Sequence, residues 1–168
     1  MPTVHLLHGL PGCGKTTFAR KLEAECRAVR FTHDEWMVQL FGIDPPADTF
    51  AENARRISEL IWEHAARVVR AERDVILDLG FWTRASRDEA RARVRALGAV
   101  PMLYAFDVSE AEMRARVRAR SGTMPPGTLF INEQAFDIFL SRFQPLQPDE
   151  EHVLVRASGC GASARESS

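Results

Sequence analysis

Long apolar runs, paired cysteines and lysine are all scarce in this chain of 168 residues, and each scarcity excludes something. No apolar stretch approaches the roughly 20 residues that a membrane-spanning helix needs. Cys13, Cys26 and Cys160 form an odd set without metal-ligand spacing. That excludes a disulfide framework and points to a reducing cytoplasm. The residues before the first apolar run carry no secretory pattern, which gives the same expectation of a cytoplasmic protein without a membrane partner. Lys15 and Lys21 are the only lysines, and arginine supplies the rest of the positive charge. The net charge is −1, so no basic footprint for nucleic acid or an acidic membrane exists at whole-chain level. What is left is the composition of one ordinary globular domain, expected over residues 1–156, with a small polar tail at 157–168 expected to be disordered.

One stretch stands out. Gly9-Leu10-Pro11-Gly12-Cys13-Gly14-Lys15-Thr16 fits the phosphate-loop pattern G-x-x-x-x-G-K-[ST] without a mismatch. It follows an apolar run, Val4–Leu7, and leads into a helical pattern at Thr16–Leu22. The glycines let the backbone curl so that successive N–H groups face phosphate oxygens. The helix start adds partial positive charge. In this reading Gly9, Pro11, Gly12, Cys13, Gly14 and Thr17 build the nucleotide cradle. Lys15 reaches the β- and γ-phosphates, and the Thr16 hydroxyl holds Mg²⁺.

Along the chain, apolar strand-like runs alternate with helical patterns. Strands are expected at Val4–His8, Val29–Thr32, Val75–Leu77, Val100–Phe106 and Val153–Val155. Helices are expected at Lys15–Cys26, Glu35–Phe41, Phe50–Glu72, Ala85–Leu97, Ser109–Arg120 and Asn132–Phe143, with a Gly- and Pro-rich lid at about 121–131. Ala54, Ile57, Ile61, Ala65 and Val68 give the long helix one apolar stripe. Ser109 and Glu112 match a capping box. This alternation predicts an α/β fold with a parallel sheet covered on both faces, whose ligands bind at the carboxyl ends of the strands.

That rule singles out the acids at strand ends. Asp34 directly follows the second strand and is placed to take a proton from an attacking hydroxyl; Asp there also suits a cap for the helix at Glu35, and the two roles do not exclude each other. Asp78 ends an apolar strand, and could bind Mg²⁺ through water, hold an acceptor or merely stabilise a turn. His33 reads as a neighbour of the acid rather than a chemical group, and His64 as a packed residue. Arg116 and Arg120, four apart before the lid, share a helix face and would bring positive charge to a transferring phosphoryl group. Arg114 and Arg118 read as a solvated face. Trp36 and Trp82 follow the two acids and suggest a pocket wall, and Arg87 is the arginine of its stripe nearest a strand end.

With these residues in hand, the chain resembles the small P-loop kinases: gluconate kinases, the 5′-kinase domain of polynucleotide kinases, chloramphenicol phosphotransferase and zeta toxins. The resemblance rests on Gly9–Thr16, Thr32-His33-Asp34-Glu35, Val75–Asp78 and the pair Arg116 and Arg120. It implies a three-layer α/β/α P-loop fold with five parallel strands in the order 2-3-1-4-5. It implies Asp34 as general base, Lys15 and Arg120 as catalytic cations, and Arg116 and Arg120 on ATP. Asp78 and Arg87 would lie near the acceptor, with Asp34, beside the wall that Trp36 and Trp82 suggest. The implied activity is transfer of the γ-phosphate of Mg·ATP to a small-molecule hydroxyl, of the antibiotic or sugar-like kind. The alternatives are a nucleic-acid 5′-hydroxyl kinase, a zeta-type toxin kinase and a non-kinase ATP-hydrolysing module.

Overall fold

A computed structural model describes residues 1–156; the tail at 157–168, with Cys160, lies outside the described residues. Strands β1 (Thr3–His8), β2 (Val29–Thr32), β3 (Val75–Gly80), β4 (Val100–Asp107) and β5 (Val153–Arg156) form one parallel sheet. Its order is β2-β3-β1-β4-β5, as the resemblance implies. The helices are α1 (Lys15–Cys26), α2 (His33–Phe41), α3 (Ala47–Arg70), α4 (Arg84–Ala96), α5 (Glu110–Thr123) and α6 (Glu133–Arg142).

Side-chain alternation explains the layers. In β3, Val75 and Leu77 enter the core beneath α3 and α4, whereas Ile76 packs with Leu7, Ala19, Leu22 and Tyr104 on the α1 side. The period of two then sends Asp78 to the same side as Ile76, toward α1. The site is thus prepared by strand geometry before any loop is considered. In α3 the fully buried stripe is Ile57, Ile61, Ala65 and Val69. Steps of four carry it past Val68, which is half-buried together with Ala54.

Several boundaries differ from the sequence reading. Helix α2 begins at His33, so its N-cap is Thr32 and Asp34 lies inside the first turn. Asp34 is therefore not the cap. Helix α5 runs to Thr123, three residues into the expected lid. Its last turn is held by the Met124 N–H bonding the Arg120 carbonyl at 2.8 Å, and Met124 takes the left-handed conformation that ends the helix. At the start of α5 the Ser109 side chain accepts from the Glu112 N–H, but the Glu112 carboxylate pairs with Arg116 instead of returning to the cap. The reciprocal box is Thr83 with Ser86, at α4.

Helix α4 is also tied to the segment after α6 by a buried charge cluster. Arg87 Nε and Nη2 donate to the two Glu150 carboxylate oxygens at 2.8 and 2.7 Å, and both side chains are 0% exposed. Arg91 Nη1 and the Gln147 N–H add bonds to the same carboxylate. The Arg87 bonds hold the Glu150 carboxyl far below its usual range, outweighing burial, which pushes it up. Removing one partner of a buried pair strands the other, so Glu150→Gln should lose about 3 kcal/mol of unfolding free energy at pH 7. The depressed value means this stability is present above the unfolded carboxylate range and is lost as pH falls below it. Urea unfolding from pH 5 down to pH 2 should show a steeper acid loss for the parent than for Glu150→Gln; equal slopes would contradict it.

Candidate active site

The loop between β1 and α1 is built from backbone. Its start is pinned by the Gly9 N–H to the Gly80 carbonyl at 3.1 Å, and by Trp82 Nε1 donating to the Gly9 carbonyl at 3.0 Å. Gly12 has φ of 84°, and a Cβ there would lie 2.5 Å from the Met113 carbonyl oxygen of α5. Only glycine meets both demands. Gly12→Ala should therefore displace the loop from α5, weaken ATP binding at least tenfold and lower stability by about 1–3 kcal/mol. Calorimetric titration and thermal unfolding check both; unchanged ATP affinity would contradict it.

Helix α1 opens on Gly14, with no side-chain cap and no acid in its first turn. Its first N–H groups are left for an anion. Lys15 folds back over the loop, its Nζ donating to the Leu10 carbonyl at 2.9 Å and lying 3.8 Å from Cys13 Sγ. Thr16 Oγ1 donates to Asp78 Oδ2 at 2.7 Å. Burial pushes the Asp78 carboxyl up; Lys15 and the Thr16 bond pull it down, and Asp34 raises it again. This last effect places Asp34 in the same electrostatic neighbourhood. Sheet register does so too, because Thr32 pairs with Asp78 and α2 starts at the next residue. Asp34 differs from Asp78 in being 43% exposed, with His33 Nδ1 at 3.7 Å from its Oδ1.

Thr16 Oγ1 and Asp78 Oδ2 are hard oxygen donors beside the loop. Among the described residues no three His, Cys, Asp or Glu side chains gather for a metal ion. This donor set fits magnesium, which takes one or two protein oxygens and completes its shell from phosphate and water.

Helix α5 crosses the open side of the loop. Arg116 Nη1 donates to the Gly12 carbonyl at 3.3 Å and pairs with Glu112. Arg120, one turn on, is half-buried. Among the described residues its Nε and Nη2 are buried without a hydrogen-bond partner. Buried guanidinium donors without partners are expensive, and an anion would satisfy them.

The AAA domain family model matches residues 4–146. The chain belongs to this AAA domain family. No curated protein matches the sequence. Among solved structures, it is similar to a kinase-like protein of Chloroflexus aurantiacus J-10-fl at TM-score 0.72 and 17% identity, covering 92% of this chain and 88% of that one. It is similar to a chain of the Pnkp1/Rnl/Hen1 RNA repair complex at TM-score 0.67 and 23% identity, covering 84% of this chain and 43% of that one. A gluconokinase from Sinorhizobium meliloti 1021 gives TM-score 0.64 at 16% identity, covering 92% and 82%. At these identities the likeness is one of fold.

Within this AAA domain the other expected site residues fall as follows. Pro11 is half-buried in the loop, Cys13 is buried beneath it, and Thr17 is exposed at the start of α1. Trp36 packs edge-on against Phe31 and His64, between β2 and α3. Trp82 supports the loop through its bond to Gly9 and packs on Phe139. Arg87 is enclosed; besides Glu150 it donates to the carbonyls of Phe81, Trp82 and Gln144, so no donor remains for an acceptor. Arg114 is not on a solvated face: it clamps α5 to α6 through Glu133 and Asp137, over the Phe136 ring. In the sequence His8 lies in or beside the first strand without ligand spacing, and nothing there marks its partner. It is buried behind the loop with Nδ1 2.9 Å from the Phe81 carbonyl, and burial lowers its pKa to about 4, so it stays neutral.

Proposed function

We propose that this protein is an ATP-dependent kinase that moves the γ-phosphate of Mg·ATP to a hydroxyl of a small molecule of the antibiotic or sugar-like kind. We take residues 1–156 as its single kinase domain and about 121–131 as its lid. The observation that carries this reading is the contrast between the two cleft acids. Asp78 is closed against Thr16, whereas Asp34 is 43% exposed and, among the described residues, its side chain makes no hydrogen bond to backbone. A hydrolysing switch has no use for an open carboxylate beside the phosphate loop; a kinase uses one to receive the acceptor's proton.

The roles follow from position. The loop N–H groups and the start of α1 bind the phosphates. Lys15 leaves the Leu10 carbonyl for the β- and γ-phosphate oxygens. Thr16 and Asp78 would hold magnesium, which supplies charge neutralisation between the phosphates when bound. Asp34 takes the proton as the acceptor oxygen attacks the γ-phosphorus. Arg120 offers Nε and Nη2 to the phosphoryl oxygens, and Arg116 covers the loop beside it.

Charge on the acceptor side supports a small molecule over a polyanion. Arg20 and Arg30 both pair with Glu35, and Arg55 and Arg56 pair with Glu52. A cavity of about 400 Å³ lies between Glu35, Val38 and Gln39 of α2 and Pro126 and Gly127 of the lid. Its one arginine, Arg20, is already paired. The test is ADP release with antibiotics, nucleosides, sugars and 5′-hydroxyl oligonucleotides, with Lys15→Ala as the control. Stimulation by one small-molecule class, lost in the control, supports the proposal. Stimulation by oligonucleotides alone transfers it to the nucleic-acid reading, and a constant rate with every acceptor favours a hydrolysing module.

A further inference from the structure

We infer that His33 is a relay and positioning residue for Asp34, receiving the proton that Asp34 takes from the acceptor. The inference rests on the reading of Asp34 as the base. The His33 ring spans two elements. Its Nε2 lies 3.3 Å from the Ala54 carbonyl of α3, and its Nδ1 lies 3.7 Å from Asp34 Oδ1. The ring is largely enclosed, with 15% of its side chain exposed.

Proton bookkeeping fixes what this ring can do. A carbonyl oxygen only accepts, so Nε2 carries a hydrogen. In the neutral ring Nδ1 is then a bare lone pair facing the carboxylate. Among the described residues, Asp34 is the charged group within ion-pair distance of the ring, and α3 meets it with the Ala54 carbonyl. An ordinary carboxylate has a pKa of about 4 and holds a transferred proton poorly at neutral pH, whereas imidazole, at about 6.5, holds it well. The step balances. The acceptor O–H bond breaks as its oxygen bonds to phosphorus, and the proton passes to Asp34. Rotation of the exposed carboxyl then delivers it to Nδ1. The products are ADP, the phosphorylated acceptor, an ionised Asp34 and an imidazolium paired with it. The 3.7 Å separation has to shorten by about half an ångström on substrate binding, as loose contacts at such sites do.

The tether and the relay are separable. Glutamine at position 33 can still donate to the Ala54 carbonyl but cannot take a proton. The experiment follows hydrolysis of Mg·ATP, with water in the acceptor's place, from pH 4.5 to 8.5 in the parent, His33→Gln and Asp34→Asn. In the parent the rate should fall on acidification, because a ring already protonated receives nothing. In His33→Gln the plateau should drop about tenfold and the acid limb should move to lower pH. An unchanged acid limb in His33→Gln overturns the relay while leaving the base intact. An undiminished rate in Asp34→Asn overturns the base and the relay with it. The ring ¹⁵N resonances of His33 give a reading that needs no turnover. Above neutral pH they should show the Nε2–H tautomer with Nδ1 bare, and the opposite tautomer overturns the proposal.

Discussion

Asparagine at position 34 should leave ATP affinity within about twofold of the parent and lower turnover by about 10²- to 10⁴-fold, the usual range for a lost general base. The substitution keeps size and shape, and the side chain is open to solvent with no cap bond to break. Fold and nucleotide site should therefore survive. Only proton acceptance is lost. The measurement is a pair: calorimetric ATP affinity, and turnover with the best acceptor. Full turnover in Asp34→Asn contradicts the base assignment. A parallel loss of affinity would mean that Asp34 acts on the nucleotide instead.

Arg120→Met should give a crossed result. Methionine keeps much of the aliphatic packing of arginine and removes Nε and Nη2, which are buried without partners. Burying such donors unsatisfied costs about 1–3 kcal/mol, so the free variant should unfold at an equal or higher temperature than the parent. Turnover should meanwhile fall by about 10³-fold, as when an arginine that stabilises a transferring phosphoryl group is removed. Stability and activity then move in opposite directions, which a merely structural arginine does not produce. Arg120 is a simple anchor if ATP affinity falls and turnover at saturation does not.

The sequence carried the fold because the fold is local. Each strand is a short apolar run with a helix to cover it, and Ile76 and Asp78 share a face by alternation alone. Gly9–Thr16 was legible for the same reason: the loop, the strand before it and the helix after it are contiguous. What escaped was every partnership across distance. Arg87 looked free because Glu150, which neutralises it, lies 63 residues away. Trp36 and Trp82 looked like pocket walls because both follow an acid. Helix α2 turns Trp36 against Phe31 and His64, and the indole N–H of Trp82 fastens that residue to Gly9. His33 looked incidental because the Ala54 carbonyl that orients it belongs to another helix. Arg120 was legible by its spacing, but its unsatisfied donors emerge only when α5 is laid over the loop.

The central claim is that Asp34 and the phosphate loop act together on a hydroxyl. Its most direct test is transfer of label from γ-labelled ATP, with magnesium, to a panel of hydroxyl acceptors, in the parent and in Asp34→Asn. The account predicts label in one class of small molecule and its loss in the variant. Labelled inorganic phosphate alone from every mixture, at equal rates in the two proteins, would contradict it.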